Sequence, residues 1–230
     1  MELLAIHFNE LLNPKLYIDH GGLWMILFIV FAETGLFAGF FLPGDALLFV
    51  TGIYSADIVS AALYTTNSQW MDLFLLWILI SIAGILGNYV GFWFGQKSGP
   101  YLFERKDSFF FKQKYLHQAH EFYEKNGQGA IILARFVPFV RTFAPIVAGM
   151  VGMDKKKFTF CNMTGSMLWV STMLIAGHFL QRWIYHQYHF DLKAHLEVIV
   201  IGIVAITTLP VIYKIITHRK KQLPDNNQQL

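Results

Sequence analysis

The chain has 230 residues, of which 55% are hydrophobic, 17% aromatic and only 14% charged. Soluble domains carry about 25% charged residues, so this composition excludes an ordinary soluble domain and predicts several segments that span a bilayer. The formal net charge of +3 is too small to indicate nucleic-acid binding, and the single cysteine, Cys161, excludes an internal disulfide and a cysteine-based metal site.

The first segment, residues 1–20, lacks the pattern of a secretory signal peptide. It has no basic start, and polar residues interrupt its apolar run. We expect a short amphipathic helix that lies at the membrane interface. Insertion into the membrane would therefore depend on the segments that follow.

Residues 22–55 form an apolar stretch that contains two acidic residues, Glu33 and Asp45, and a break at Pro43 and Gly44. A charge in hydrocarbon costs about 3 kcal/mol even on lenient insertion scales. Proline removes a backbone donor, and irregular backbone at membrane depth is tolerated only inside protein or beside a watery cavity. We therefore predict a re-entrant hairpin that enters from the outer face, with an ordinary kinked helix as the alternative.

The basic residues indicate which segments face the cytoplasm. No Lys or Arg occurs over residues 16–96, whereas they are frequent over 97–126, over 154–157 and in the C-terminal tail. Because positive charges mark cytoplasmic flanks, these three later regions are predicted to be cytoplasmic. The region 56–72, which is acidic, is predicted to lie outside.

Three stretches are predicted to cross the membrane as helices, because each is apolar and reaches the length of about 20 residues that a crossing needs. They are residues 72–96, 158–180 and 196–217. The basic clusters assign them inward, outward and inward directions in that order, which places the C-terminus in the cytoplasm.

Four glycines fall every four residues along the first of these helices, at Gly87, Gly91, Gly95 and Gly99. Small residues at this spacing let another helix backbone approach closely. We expect this face to serve helix packing rather than to act directly in function.

Residues 128–152 contain two arginines, Arg135 and Arg141, and two prolines, Pro138 and Pro145. Cytoplasmic charge flanks the stretch on both sides, so a simple crossing would contradict the charge pattern. A hairpin that enters and leaves on one side satisfies it. We therefore predict a second re-entrant hairpin, broken at the two prolines.

The fold class predicted from these segments is an all-α integral membrane protein built as an inverted repeat. Each half offers an amphipathic segment, a hairpin and a spanning helix, and the hairpins open to opposite sides; inverted repeats of this kind are typical of secondary transporters. The six segments are residues 1–20, 22–55 and 71–96, then 108–126, 128–152 and 158–180. The predicted organisation is one membrane domain over 1–217, with repeats over about 1–97 and 108–180, an extra transmembrane helix over 196–217 and a polar cytoplasmic tail over 218–230.

The charged segments resemble the signatures of the DedA family of bacterial inner-membrane proteins, whose members carry a VTT domain. Glu33-Thr-Gly followed by Phe41-Leu-Pro-Gly-Asp45 resembles the first signature, and Arg135-Phe-Val-Pro-Phe-Val-Arg141 the second. The resemblance covers about residues 20–180. It implies two re-entrant hairpins, a role in envelope homeostasis, and the return of undecaprenyl phosphate, a lipid carrier, across the membrane with dependence on proton motive force. It also matches the four charged residues to the family's functional positions.

Two positions depart from the pattern of many relatives, which have Asp where this chain has Asn88 and Arg where it has Gln96. The loss of these charges leaves the charged residues of the hairpins intact. It affects what the resemblance implies about the identity of the substrate and about a network of charges shared with the relatives.

The chemistry of the four charged residues suits an anionic lipid and a proton. Arginine stays protonated and presents a planar fork that fits phosphate, so Arg135 and Arg141 are the candidate substrate-binding residues. Burial and a nearby arginine act in opposite directions on a carboxylate, so Glu33 and Asp45 are the candidate proton-coupling residues. The alternative is that the four residues form salt bridges that only hold the hairpins together.

No cofactor or metal is expected. The pairs His117/His120 and His186/His189 have the helical i, i+3 spacing of metal ligands, but neither has a reliable third ligand nor matches a zinc protease pattern. We interpret them as interfacial histidines.

The leading hypothesis is a transporter or flippase of a lipid phosphate, with undecaprenyl phosphate, membrane lipids and protons as partners. A membrane lipid phosphatase is less favoured, because no His or Ser nucleophile accompanies the arginines in their segment, and we expect the chain not to be an enzyme. A structural or chaperone-like membrane protein, or ion exchange alone, is a further alternative. A homo-oligomer is compatible with the sequence.

Overall fold

The computed structural model describes residues 22–36, 44–63, 68–104, 129 and 131–188. In these ranges it contains helices and no strand, which confirms the predicted all-α architecture for this part of the chain. The helices are α1 (Gly22–Gly35), α2 (Gly44–Ile53), α3 (Ser55–Ala62), α4 (Gln69–Glu104), α5 (Pro138–Met150) and α6 (Lys155–Tyr188). The predicted amphipathic segments 1–20 and 108–126, the predicted transmembrane helix 196–217 and the tail 218–230 lie outside the described residues.

Helices α4 and α6 are the long elements of the bundle. Their parts Gln69–Gly99 and Lys155–Ile184 are long and apolar enough to cross a membrane. At 1.5 Å per residue, the 31 residues of the first part extend over about 46 Å, which exceeds the hydrocarbon thickness of about 30 Å. Both helices continue beyond the predicted limits because interfacial residues prolong them; Lys97, for example, lies 5.0 Å from the centre of the Trp93 ring.

Helices α2 and α3 form a bent pair, with an angle of 87° between them at Tyr54. Helix α3 falls in a region that the sequence analysis assigned only to the outer side, without a helix. Its Ile58 and Val59 are buried in the core while Asp57 and Ser60 are exposed, so the helix is amphipathic and covers one end of the bundle.

The glycines of α4 form close contacts with two other helices. A Cβ atom at Gly87 would collide with Thr34 and with the carbonyl of Phe31 in α1. Cβ atoms at Gly95 and Gly99 would collide with backbone carbonyls of α5. The predicted packing role of this glycine face is confirmed, because the absence of side chains is what lets three helices touch.

A second close contact joins α2 to α6. A Cβ atom at Gly52 would collide with the carbonyl of Leu174, and one at Gly177 with the carbonyl of Phe49. Thus α2 packs on α6, while α5 packs on α4. The short helix that follows each break lies against the long helix from the other half of the chain.

The core lies between the helices, whereas the outer surface of the bundle remains apolar. Trp169 and Leu76 belong to the largest buried cluster. In contrast, Trp24, Phe28 and Leu133 are 68%, 67% and 69% exposed. Large exposed apolar surfaces on a helical bundle are typical of contact with lipid, in agreement with an integral membrane protein.

A candidate charged site inside the helix bundle

The four ionisable residues singled out in the sequence are all buried in the bundle. The exposed fractions of Glu33, Asp45, Arg135 and Arg141 are 2%, 9%, 5% and 9%. None of these side chains is exposed on the outer surface of the bundle. Burial of charge at this depth is costly unless the charges are paired and hydrogen-bonded, so their partners define the site.

Arg141 of α5 joins the two acidic residues. Its Nη1 atom donates a hydrogen bond to Oδ1 of Asp45, and its Nη2 atom donates one to Oε1 of Glu33. The planar guanidinium fork is thus shared between carboxylates from α1 and α2. This ion triad connects three helices and carries a formal charge of −1 when both acids are ionised.

The local sequence places the acids where they can meet. Helix α2 begins at Gly44, so Asp45 lies in its first turn, where the helix dipole favours negative charge. A Cβ atom at Gly44 would overlap the carboxylate of Glu33. Any side chain at this position would have to displace that carboxylate, so glycine leaves room for the end of α1 beside the start of α2. Pro43, the other residue of the predicted break, lies outside the described residues.

The second predicted break occurs before α5. A helical turn over 131–134 is followed by a turn at 135–137, and α5 begins at Pro138. Val137 is extended, with φ −108° and ψ 108°, as a residue that precedes proline prefers. Proline suits the first position of a helix because its missing N–H would have no partner there. Arg141 is therefore presented in the first turn of α5.

The predicted break at Pro145 is wrong, because α5 continues through this residue to Met150. Proline cannot donate to the carbonyl four residues earlier, so the helix loses one bond. Close packing compensates for that loss. A Cβ atom at Gly91 of α4 would lie 3.6 Å from Cβ of Pro145, which shows how closely the two helices approach at this point.

Trp169 of α6 is a member of the site that the sequence analysis did not identify. Its Nε1 atom donates a hydrogen bond of 2.9 Å to Oδ1 of Asp45, and the centre of its ring lies 4.8 Å from Cζ of Arg141. The side chain is 1% exposed. One residue thus supplies a donor to an acid and a cation–π surface to the base. Nothing in the sequence distinguishes this tryptophan from the other five.

Arg135 has a different environment from Arg141. It lies in the turn before α5 and donates from Nη2 to Oδ1 of Asn162 in α6. The Ser166 hydroxyl also donates to this oxygen, at 3.5 Å. Nδ2 of Asn162 donates to the carbonyl of Ile85 at 3.1 Å. Among the described residues, no carboxylate pairs with Arg135.

The absence of a side chain at Gly165 provides the space for Arg135. A Cβ atom at this position would lie 2.9 Å from Cδ of Arg135 and 3.0 Å from Nε. The Arg135 guanidinium is also close enough to that of Arg141 for their charges to repel each other. The structure therefore brings the four predicted residues into one region but divides them into a triad and a separate arginine.

Three buried polar atoms of this region have no hydrogen-bond partner in the described part of the chain. They are Oε2 of Glu33, Nε of Arg135 and Nε of Arg141. Buried polar groups normally have partners, so these three atoms have capacity for a further hydrogen bond.

The two positions that differ from many relatives do not join the charged site. Asn88 is buried, and its Nδ2 donates to the carbonyl of Gly84 in its own helix at 2.6 Å. Gln96 is exposed. The described residues contain no group of three or more His, Cys, Asp or Glu side chains that could hold a metal ion. Of the histidine pairs, only His186 is described, near the end of α6.

Comparison with known proteins gives consistent matches over most of the chain. A family model described as the VTT domain matches residues 21–179. Protein DedA of Escherichia coli (strain K12) is 39% identical over 202 residues, which cover 86% of this chain and 85% of that protein. Inner membrane protein YqjA of the same strain is 31% identical over 179 residues, covering 77% and 75%. An uncharacterised membrane protein of Mycobacterium leprae is 36% identical over 184 residues, covering 80% and 75%. No solved structure matches the chain.

The matched region includes all six described helices except the end of α6. It also contains both charged segments on which the resemblance was based, and the relatives are named as membrane or inner-membrane proteins. The apolar helices agree with that location. The chain therefore belongs to the DedA family of VTT-domain membrane proteins.

Proposed function

We propose that this protein is a transporter that moves a lipid phosphate across the bacterial inner membrane in exchange with, or together with, protons. Undecaprenyl phosphate is the proposed substrate, and support of the cell envelope the proposed role. The observation that carries the proposal is the position of Arg135. It is buried in an apolar bundle, no described carboxylate balances its charge, and the charge of Arg141 is near enough to repel it.

The proposed topology is multi-pass, with two re-entrant hairpins related as an inverted repeat and the C-terminus in the cytoplasm. Two observations support it. Each short helix after a break packs, through glycine, on the long helix of the other half: α2 on α6 and α5 on α4. Helices α2 and α5 both carry a charged residue near their start, Asp45 and Arg141. Broken helices that meet around a central site are typical of secondary transporters.

The substrate-binding step is assigned to the arginines. A phosphate monoester carries a charge of about −1.5 to −2 and accepts several hydrogen bonds. Arg135 can donate to such a group from its unpaired Nε and from Nη2, which now contacts only a neutral amide oxygen. The amide oxygen of Asn162 is neutral, whereas a phosphate oxygen is charged and can accept two bonds from the guanidinium, so phosphate would displace Asn162.

The coupling step is assigned to the ion triad. Arg141 is held by Glu33 and Asp45, so it is occupied while both acids are ionised. A proton on one acid weakens that hold and frees part of the guanidinium for phosphate. Phosphate and proton would then bind cooperatively, because each lowers the cost of burying the other.

The test is transport of a labelled polyprenyl phosphate by purified protein in vesicles, with and without a pH gradient. We expect movement with wild type and a loss of at least tenfold with Arg135→Ala. Arg182→Ala, which changes an exposed arginine of α6, is the matched control and should retain transport. Equal transport by wild type and Arg135→Ala, or no transport by folded wild type, would contradict the proposal.

A second candidate is a non-transporting structural protein, which the ion triad itself favours because Arg141 joins three helices. The triple neutral variant E33Q/D45N/R141Q separates the two. A structural protein would keep its cellular role wherever this variant folds, whereas a transporter would lose transport and the pH response. Hydrolysis is not part of the proposal, and phosphate release from labelled lipid by purified protein would revive the phosphatase.

A further inference from the structure

The two acids of the ion triad have different surroundings. Oδ1 of Asp45 accepts hydrogen bonds from Arg141 and from the indole N–H of Trp169, the latter at 2.9 Å. Among the described residues, Arg141 is the one donor to Oε1 of Glu33. Oε2 of Glu33 is buried and has no partner among the described residues. Asp45 therefore has donors from two helices, and Glu33 from one.

Few other charges influence this comparison. Helices α4 and α6 carry no charged residue or histidine over 73–96 and 158–177, the parts that pack around the site. Asp57, the charged residue of α3, is exposed. In the part of the chain that the structure describes, the charged groups that face the two acids are Arg141 and, beyond it, Arg135. Both acids share these cations. Asp45 differs from Glu33 in two ways: it lies in the first turn of α2, and it accepts the indole N–H of Trp169.

Hydrogen bonds to an ionised carboxylate stabilise its charged form, whereas a buried oxygen without a donor favours the neutral acid. We propose, within the proton-coupled function given above, that Trp169 positions Asp45 as the counterion that stays with Arg141 and that Glu33 is the acid that takes up the proton. Trp169 is then a positioning residue, because it acts through Asp45 and Arg141.

The geometry gives this division of roles a consequence for Arg141. When Glu33 is neutral, the bond from Nη1 to Asp45 and the ring of Trp169 still hold the guanidinium in place. Nη2, which points to Glu33, is the atom that becomes available to an anion. Trp169 would thus keep the guanidinium of Arg141 in place while its Nη2 atom is released from Glu33.

The experiment is an infrared pH titration of the full-length protein in lipid nanodiscs without any polyprenyl phosphate, following the carbonyl stretch of protonated carboxyl groups. We expect a titrating band that Glu33→Gln removes. Asp45→Asn should retain it at lower pH, because the loss of the neighbouring negative charge favours ionised Glu33. Retention of the band in Glu33→Gln together with its loss in Asp45→Asn would overturn the assignment.

The role of Trp169 is tested in the Glu33→Gln background, where Asp45 is the acid that remains. Adding Trp169→Phe removes the indole N–H and keeps an aromatic ring, so the protonated-carboxyl band should be stronger at the same pH than in the Glu33→Gln protein, because the charged form has lost a donor. Adding Trp77→Phe is the matched control. Trp77 donates its own indole N–H to the carbonyl of Met167 at 3.2 Å, away from the acids, so the band should stay as it is in the Glu33→Gln protein.

Identical spectra for the Trp169→Phe and Trp77→Phe proteins would overturn the role of Trp169. Trp169→Tyr, which also lacks the indole, provides a second variant where Trp169→Phe is unstable. The titration needs no lipid substrate. Failure of transport in vesicles would therefore leave these spectra unchanged, and the assignment of the proton can fail while transport stands.

Discussion

Two arginines six positions apart in one motif occupy opposite kinds of environment. Arg141 is enclosed by two carboxylates and an aromatic ring. Arg135 is bound by one amide oxygen and by no described carboxylate. The same side chain thus joins two carboxylates in one place, and in the other it has no carboxylate partner among the described residues. The difference teaches that the partners, rather than the residue type, decide which arginine is available to a ligand.

The largest effect on stability is expected from Arg141→Ala. The substitution leaves two buried carboxylates facing each other without a cation, which costs about 3–5 kcal/mol in the free energy of unfolding. Denaturant unfolding in detergent measures it. Adding Glu33→Gln and Asp45→Asn should restore part of the loss, because no buried charge then remains unpaired in the triad. Unchanged stability of Arg141→Ala would mean that the triad is not a structural element.

A smaller loss is expected from Gly44→Ala. The added methyl group would overlap the Glu33 carboxylate, and overpacking of this kind costs about 1–3 kcal/mol. Gly84→Ala is the control, since its nearest neighbours would be at the ordinary distance of 3.8 Å. The same unfolding measurement applies. Equal stability of the two variants would contradict the close approach of α1 and α2.

Arg135→Gln should cost about 1 kcal/mol or less, because it removes one hydrogen bond to a neutral amide and leaves no carboxylate unpaired. Transport should nevertheless fall as it does for Arg135→Ala. The comparison is between the unfolding free energy and the transport rate of the same preparation. A destabilisation as large as that of Arg141→Ala would indicate a hidden anionic partner.

The smallest change in stability is expected from Asn162→Asp. This substitution is also the most direct test of the difference between Arg135 and Arg141. The substitution offers Arg135 a carboxylate in place of an amide oxygen and so pairs this arginine with an anion. Stability should change by less than about 1 kcal/mol, since the new ion pair must offset its own burial. Transport should be lost, because phosphate must now compete with a fixed anion. Asn162→Ser, which adds no charge, should retain more transport than Asn162→Asp.

Much of this organisation could be predicted from the residues alone. The apolar composition requires helices, since backbone groups in lipid must be satisfied within a segment. Glu33, Asp45, Arg135 and Arg141 could be recognised as site residues because a charge persists in an apolar stretch only when it is buried with partners. The spacing of the glycines in α4 likewise predicted a packing face. These are local properties, because they depend only on residue type and on spacing along the chain.

The pairing of the charges was decided only by the tertiary structure. The sequence does not show that Arg141 binds both carboxylates or that Arg135 donates to Asn162. Nor does it show which tryptophan donates to Asp45. Each of these contacts joins segments that are far apart in the chain. Pro145 is a second case in which the sequence alone does not predict the structure. Its chemistry predicts a break, but close packing of α5 against α4 keeps the helix intact. Local chemistry determined which residues form the site, and long-range packing determined which of them meet.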